Sequence, residues 1–419
     1  MTTSPLRLRG ALVGGVAASL LLAGCGGGFS GGSTGSNTAA STQTGPVKLT
    51  VMIGSSGDAE TNAVKAAASA WAAKTGNTVD VVAASDLTQQ LGQGFAGGTP
   101  PDVFYTGADV VGDYAKAGYL YAYGKDVASA GFLPALEKAF TYKGTLQCAP
   151  KDYSTLALVI NTDMWTAAGL TDADIPKDWA GLETVAAKLT KNGVTGLVFS
   201  GEHDRVGVFL KQAGGWLVNA DGTQVTADTD ANAAGLAEVK KLLASGNVKF
   251  AKAVDAGWGG EAIGKGKTAM TIEGNWISGA MTKDYPTIKY KVVELPAGPA
   301  GKGTLAFTNC WGIAAKSKNQ AAAVDLVKAF ISTDQQMAFA KAFGVMPSTT
   351  EANAKYKAEY PANAAFAAGG DYGQGPVNFP GWGPVKTAYN NDIANLANVD
   401  PKSVLGTLQK NATAAMSGS

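Results

Sequence analysis

Histidine and cysteine are nearly absent from this chain, with one His (His203) and three Cys (Cys25, Cys148, Cys310) among 419 residues. Without clustered ligands of that kind no transition-metal site is expected, and nothing else calls for a metal or a cofactor. Neither sign of charge is in excess, with 34 basic against 33 acidic side chains, which argues against nucleic acid or another polyanion as partner. Long apolar runs are missing too. The stretch from Ala11 to Leu22 is about a dozen residues, where a bilayer span needs about 20. What is present is an apolar content of 46%, typical of a globular protein, and enough length for two domains with separate cores.

The N-terminal residues read as an address. Arg7 and Arg9 precede the apolar stretch, and Leu22-Ala23-Gly24-Cys25 closes it with small residues before a cysteine. This resembles the lipobox of bacterial lipoproteins, and an ordinary secretion signal with an incidental cysteine is its rival. Residues 1–24 are therefore expected to be a signal peptide, with Cys25 the lipidated first residue of the mature chain. Residues 25–46 contain no charge and consist mostly of Gly, Ser, Thr, Ala and Asn, which predicts a flexible tether. A globular body on the extracytoplasmic side, held to the cell membrane by lipid, is the expectation. In an exported protein the remaining pair, Cys148 and Cys310, is more often a disulfide than a reactive site.

From Val47 onward hydrophobic periodicity alternates between strand and helix. Val47 to Ile53 reads as a strand, Glu60 to Lys74 as a helix ending at Gly76, and Val79 to Ala83 as a second strand. That βαβ order implies a parallel pair with a right-handed crossover. Pro101-Asp-Val-Phe opens another strand that ends in polar residues near Asp109. Further on, Thr304 to Ala315 reads as one long, bent strand, and the tail as two helices. The most informative run is Gly264 to Trp276: a basic turn, a strand from Thr268, and a loop carrying Trp276. Its Gly266-Lys267-Thr268 imitates the end of a phosphate-binding loop, but Glu261 stands where that loop needs its first glycine. Trp276 by itself fits either a core position or a cleft.

In order and spacing these segments resemble the extracellular solute-binding proteins of sugar ABC importers, the maltose-binding-protein superfamily. The motifs that carry the resemblance are Pro101-Asp-Val-Phe104, Leu158-Val-Ile-Asn161 with Asp163, Gly264 to Trp276, Gly312-Ile-Ala-Ala-Lys316 and Asn378-Phe-Pro-Gly-Trp382. The resemblance implies an α/β chain of two lobes, with parallel or mixed sheets flanked by helices and with crossing hinge segments between them. Residues 47–152 and 311–360 are assigned to the first lobe, 153–310 and 361–419 to the second. It further implies a ligand trapped as the lobes close, membrane permease subunits as partners, a monomer, and no catalysis. Cys148 and Cys310 fall at the two crossovers, so a bond between them would staple the hinge.

The resemblance also places the candidate site. Trp276 and Trp382 fall on stacking aromatics. Asp109 and Thr106, with Tyr105 beside them, fall on the loop after the third strand, where Thr106 replaces an aromatic. Asp152, Tyr153 and Ser154 fall at the first crossover, Ser55 and Ser56 on the first loop, and Arg205 on a second-lobe loop. Glu273, Asn275, Trp258 and Trp311 join the candidates on residue type. A sugar offers an apolar face for aromatic rings and a rim of hydroxyls for carboxylates, amides and guanidinium groups, so this set suits a mono- or oligosaccharide. Each member has a plainer alternative: Asp109 as a helix cap, Glu273 as a solvated strand end, Trp311 as hinge core, His203 as purely structural. Rival functions are import of a non-sugar polar solute, an exported glycoside hydrolase, and an adhesin or scaffold.

Overall fold

The structure, a computed structural model, describes residues 45–55 and 57–418; the expectations for the signal, the tether, Cys25 and Ser56 lie outside the described residues. Two main sheets organise the chain. The first has the order β2-β1-β3-β13-β6, from β1 (Lys48–Ile53), β2 (Thr78–Ala83), β3 (Val103–Gly107), β6 (Ala149–Pro150) and β13 (Asn309–Ile313). β4 (Thr141–Tyr142) and β5 (Thr145–Leu146) form a separate hairpin. The second sheet runs β14-β12-β7-β10-β8-β9, built from β7 (Ser154–Asn161), β8 (Thr195–Phe199), β9 (Val248–Phe250), β10 (Thr268–Gly274), β12 (Thr304–Phe307) and β14 (Gly373–Gln374). β11 (Tyr290–Val293) also pairs with β7.

The expected βαβ unit is present: β1 and β2 run parallel, Lys48 opposite Thr78, joined by the helix Asp58–Thr75. That helix ends at Gly76 in the left-handed conformation, where a glycine carries no Cβ penalty. It buries Val64, Ala67, Ala68 and Trp71 against the first sheet, and Trp71 Nε1 donates to Asp325 at 2.8 Å. Two large apolar clusters result. One, around Leu49, Val51, Phe104 and Trp311, belongs to the first sheet; the other, around Leu158, Ile160, Phe209 and Met270, belongs to the second.

One predicted element is corrected. The apolar run from Thr304 to Ala315 is two strands in two sheets, not one bent strand. β12 pairs antiparallel with β7, Phe307 opposite Ser154, while β13 pairs antiparallel with β3, Asn309 opposite Gly107. Only Thr308 lies between them, and its hydroxyl donates to the Asp152 carbonyl at 2.6 Å. The chain makes the opposite passage between β6 and β7, through Lys151, Asp152 and Tyr153. Cys148 and Cys310, beside these passages, are joined by a disulfide with a Cα–Cα distance of 5.7 Å.

Candidate functional site

The sheets meet at a cleft whose floor is made by these two passages. A depression of about 290 Å³ is lined by Gly54, Glu60 and Tyr105 from the first sheet's side and by Ser154, Asn275 and Trp276 from the second. Lys151 to Tyr153, Phe307 to Asn309 and Phe343 to Val345 complete it. A second depression, of about 230 Å³, shares Phe307, Thr308 and Asn309 with the first and is lined by Asp109, His203, Asp204, Trp216, Trp382 and Lys386.

Trp276 is built into place by its own strand. β10 is buried along its whole length and delivers Trp276 at the start of the helix Ile277–Lys283. The indole nevertheless remains 38% exposed, unusual for a Trp beside a fully buried strand. Its Nε1 donates to Glu273 at 3.0 Å, and its ring meets Phe307 edge-on at 5.4 Å. With the N–H engaged, the ring offers the cleft an apolar surface. Gly274 permits this arrangement by close approach, since a Cβ there would lie 2.2 Å from the Trp276 ring.

Glu273 does not contact solvent or cleft: it is 0% exposed and fully employed. It accepts from Arg205 at 2.6 Å and from Trp276, while its other oxygen accepts from the Gly259 N–H at 3.2 Å. Burial pushes its carboxyl up, and Arg205, Trp276 and Gly259 oppose that shift. Arg205 in turn lies 5.2 Å from the Trp276 ring centroid. Both residues therefore support Trp276 from below, and the expectation that Glu273 meets hydroxyls is corrected: a carboxylate at that depth keeps its charge only by spending its acceptors on protein donors.

At the first passage Lys151 Nζ lies 3.2 Å from Glu60 and also bonds Asp152. Burial alone would lower the Lys151 ammonium, but the two carboxylates outweigh it and hold it charged. Burial raises Asp152 despite Lys151. The Tyr105 hydroxyl donates to Glu60 at 2.9 Å; burial and then the Glu60 charge push it well above its ordinary value, so it stays a neutral donor. Lys151 also stands 4.5 Å over the Tyr105 ring. The result is a rim of carboxylate, ammonium and hydroxyl opposite an aromatic face.

The structure thus brings Tyr105, Asp152, Tyr153, Ser154, Asn275 and Trp276 to one depression, and Asp109 and Trp382 to its neighbour. Asn275 is held by its side-chain bond to the Gly344 carbonyl at 2.7 Å and by its own N–H, which donates to the Ser154 hydroxyl at 3.3 Å. The Tyr153 hydroxyl accepts from the Asn353 amide at 2.6 Å. Ser55 bonds Gly57 and Thr61 beside Gly54. Three expectations are corrected. Trp311 is 1% exposed, packed between Tyr105 and Phe330, and belongs to the core. Thr106 is buried in β3 opposite Cys310. Trp258 lines neither depression and folds over Gly260, where a Cβ would lie 2.1 Å from its ring. Sequence reasoning missed Glu60, Lys151 and the Phe307–Asn309 floor. Glu60 looks like an ordinary acidic residue in a helix's first turn, and only the fold carries it to the passage. Among the described residues no group of three or more His, Cys, Asp or Glu could hold a metal ion, and no helix is long and apolar enough to cross a membrane.

Two α/β sheets with a cleft between them, floored by crossing segments and rimmed by fixed polar groups, define a two-lobed solute-binding protein. Comparison with known proteins agrees: the chain belongs to the bacterial extracellular solute-binding protein family, which it matches over residues 33–368. It is 26% identical over 314 residues to the diacetylchitobiose binding protein DasA of Streptomyces coelicolor, covering 73% of each chain. Among solved structures, the GacH receptor of Streptomyces glaucescens superposes with a TM-score of 0.73 at 24% identity, covering 89% of this chain and 99% of that one. The cyclic alpha-maltosyl-1,6-maltose binding protein of Arthrobacter globiformis gives a TM-score of 0.78 at 20% identity, with 90% and 100% covered. At these identities the two structures establish the shared fold.

Proposed function

We propose that the chain is a carbohydrate receptor that hands a sugar or oligosaccharide to the permease of an ABC importer and performs no catalysis of its own. The observation that carries this reading is Trp276: a partly exposed indole whose N–H is tied to Glu273 and which lines a cleft together with Asp152 and Lys151. An apolar ring face beside charged hydrogen-bonding groups suits the two surfaces of a pyranose. The relatives support it: DasA is a diacetylchitobiose binding protein, and a cyclo/maltodextrin-binding protein of the same fold was solved with maltotetraose, at a TM-score of 0.76 and 22% identity. In this reading the lobes change near residue 152, near residue 310 and once more before residue 361, the body acts as a monomer, and Cys25 anchors it by lipid to the outer face of the cell membrane.

A thermal-shift screen of mono- and oligosaccharides tests the proposal. At least one sugar is expected to raise the Tm without being consumed, since a ligand at about 100 times its Kd adds about 2.7 kcal/mol. Trp276→Ala is expected to weaken that sugar by about 100-fold while the unliganded Tm stays near that of the wild type, because the ring is not core. Stabilisation by amines or oxyanions alone would favour a non-sugar solute. Turnover of an oligosaccharide would make the chain a hydrolase.

A further inference from the structure

The balance of charge over the whole chain conceals an imbalance at one end of the first sheet. β1 runs from Lys48 to Ile53, and Gly54 beyond it lines the first depression, so Lys48 stands at the end away from the cleft, about 17 Å back along the strand. The helix Asp58–Thr75 starts near the cleft, where Glu60 lines the same depression, and carries Lys74 in its last turn to that far end. β13 also leads away from the cleft floor, from Asn309 to Ile313, and Lys316 and Lys318 follow it. Contacts join these segments into one face. The Asn319 amide donates to the Lys48 carbonyl at 3.3 Å, the Val47 N–H donates to Asn77 at 2.9 Å, and a Cβ at Gly98 would lie 3.6 Å from Lys316 Nζ. Lys48, Lys74, Lys316 and Lys318 are all exposed, and none has an ion pair among the described residues. Of the neighbouring carboxylates, Asp102 is spent on the Thr50 N–H and the Ser317 hydroxyl, and Asp80 is exposed on the edge strand β2.

Local structure does not call for most of these lysines. A cation suits Lys74 at the negative end of its helix, but Lys316 and Lys318 precede the positive end of the helix Gln320–Phe330, whose first turn holds no acid. Lysine often guards the exposed edge of a sheet, yet Lys48 lies on β1, between β2 and β3. Tyr119 belongs to the same end, since its carbonyl accepts from the Ala315 N–H at 2.8 Å. Its ring stacks on Phe95 at 4.3 Å and is left 37% exposed. Ammonium groups gathered around an exposed tyrosine match a surface of anionic lipid headgroups, which attracts lysine clusters and accommodates an amphipathic ring at the boundary of water and acyl chain. The segment expected to tether the body, residues 25–46, joins at this end too, because Val47 leads directly into Lys48.

We infer that this end of the first sheet is a docking surface for anionic phospholipid, on which the body rests with its cleft turned to the medium. The inference takes its setting from the reading of a membrane-held receptor and adds a resting orientation to it. Residues 26–419 keep both sheets and every described residue, and without Cys25 they carry no lipid of their own. Co-sedimentation of this chain with vesicles of phosphatidylcholine, with and without phosphatidylglycerol, tests the surface. Binding is expected only with phosphatidylglycerol and is lost at high salt. Lys48→Gln, Lys74→Gln, Lys316→Gln and Lys318→Gln are each expected to weaken it about 5-fold, and the four together to abolish it. The same exchange at Lys188, Lys249, Lys252 and Lys283, exposed lysines on elements of the second sheet's side, should leave it nearly unchanged. Equal loss in both sets, or equal sedimentation with both kinds of vesicle, overturns the docking surface. Capture by soluble polyphosphate without sedimentation on vesicles would make the partner a phosphate polymer and overturns it as well. Acetylation of the unaltered chain gives a readout that needs no variant. Phosphatidylglycerol vesicles are expected to shield the first four lysines and not the second four, and equal shielding of the two sets counts against the surface. The sugar-induced rise in Tm is scored separately, so vesicle binding lost with that rise intact removes the docking surface alone, and the reverse removes the receptor reading alone.

Discussion

Two residues beside the partly exposed indole bear on binding and stability to different degrees. Gly274→Ala is expected to displace the Trp276 ring, which a Cβ would approach to 2.2 Å, and so to weaken sugar binding by about 10-fold. Because the displaced ring is a partly exposed side chain, the stability lost should stay near the ~1 kcal/mol of its Glu273 hydrogen bond, read from the urea midpoint. Glu273→Ala should act mainly on stability, leaving Arg205 buried without its counter-charge and costing about 3–5 kcal/mol in urea unfolding, besides releasing the Trp276 N–H. His203 adds a pH dependence. Its folded value of about 4 lies below the unfolded 6.5, so its neutral form favours folding above pH 6.5, and that contribution is lost as pH falls from 6.5 to about 4. The loss amounts to about 3 kcal/mol over the window, and unfolding of His203→Phe between pH 7.5 and 4.5 should lack that part of the slope. The strand that ends beside Trp276 was legible in the sequence, but the pattern alone fitted core or cleft, and only the resemblance pointed the indole to the cleft. The place of Trp311 was not legible, since its direction is decided by Tyr105 and Phe330, which only the fold brings to it.

At the scale of elements, the pair of passages is held by one covalent bond. The disulfide joins the end of the loop entering β6 to β13 and closes a separation of 162 residues. Replacing both cysteines by serine is expected to cost about 2–5 kcal/mol in urea unfolding while sugar-induced stabilisation persists, because neither cysteine lines a depression. The opening βαβ unit of the first sheet was legible from periodicity alone. The division of residues 304–313 between two sheets was not: an apolar run states that it is buried, while the sheet it joins is set by partners such as Ser154 and Gly107 far away in sequence.

For the whole molecule, the order of short motifs carried the architecture further than any single motif, since each recurs by chance but their succession follows the path of the chain from one sheet to the other and back. The charged network at the first passage escaped that reading, because Glu60 and Lys151 are 91 residues apart and meet only through the fold. If the lobes close on a sugar, as in other hinged binding proteins, small-angle scattering should show the radius of gyration falling on addition of the sugar that raises the Tm, and not with one that leaves the Tm unchanged. Thr308 gives this motion a particular character. A single residue divides the two sheets on the return passage, and it and both its neighbours lie on the cleft floor. If closure turns there, pivot and touchpad are the same three residues. A solute resting on them acts on the axis of rotation itself, with almost no lever arm, so a misfitting ring would jam the joint before the lobes had swung far. Selectivity could then be exercised in the mechanics of the swing as much as in the grip at its end.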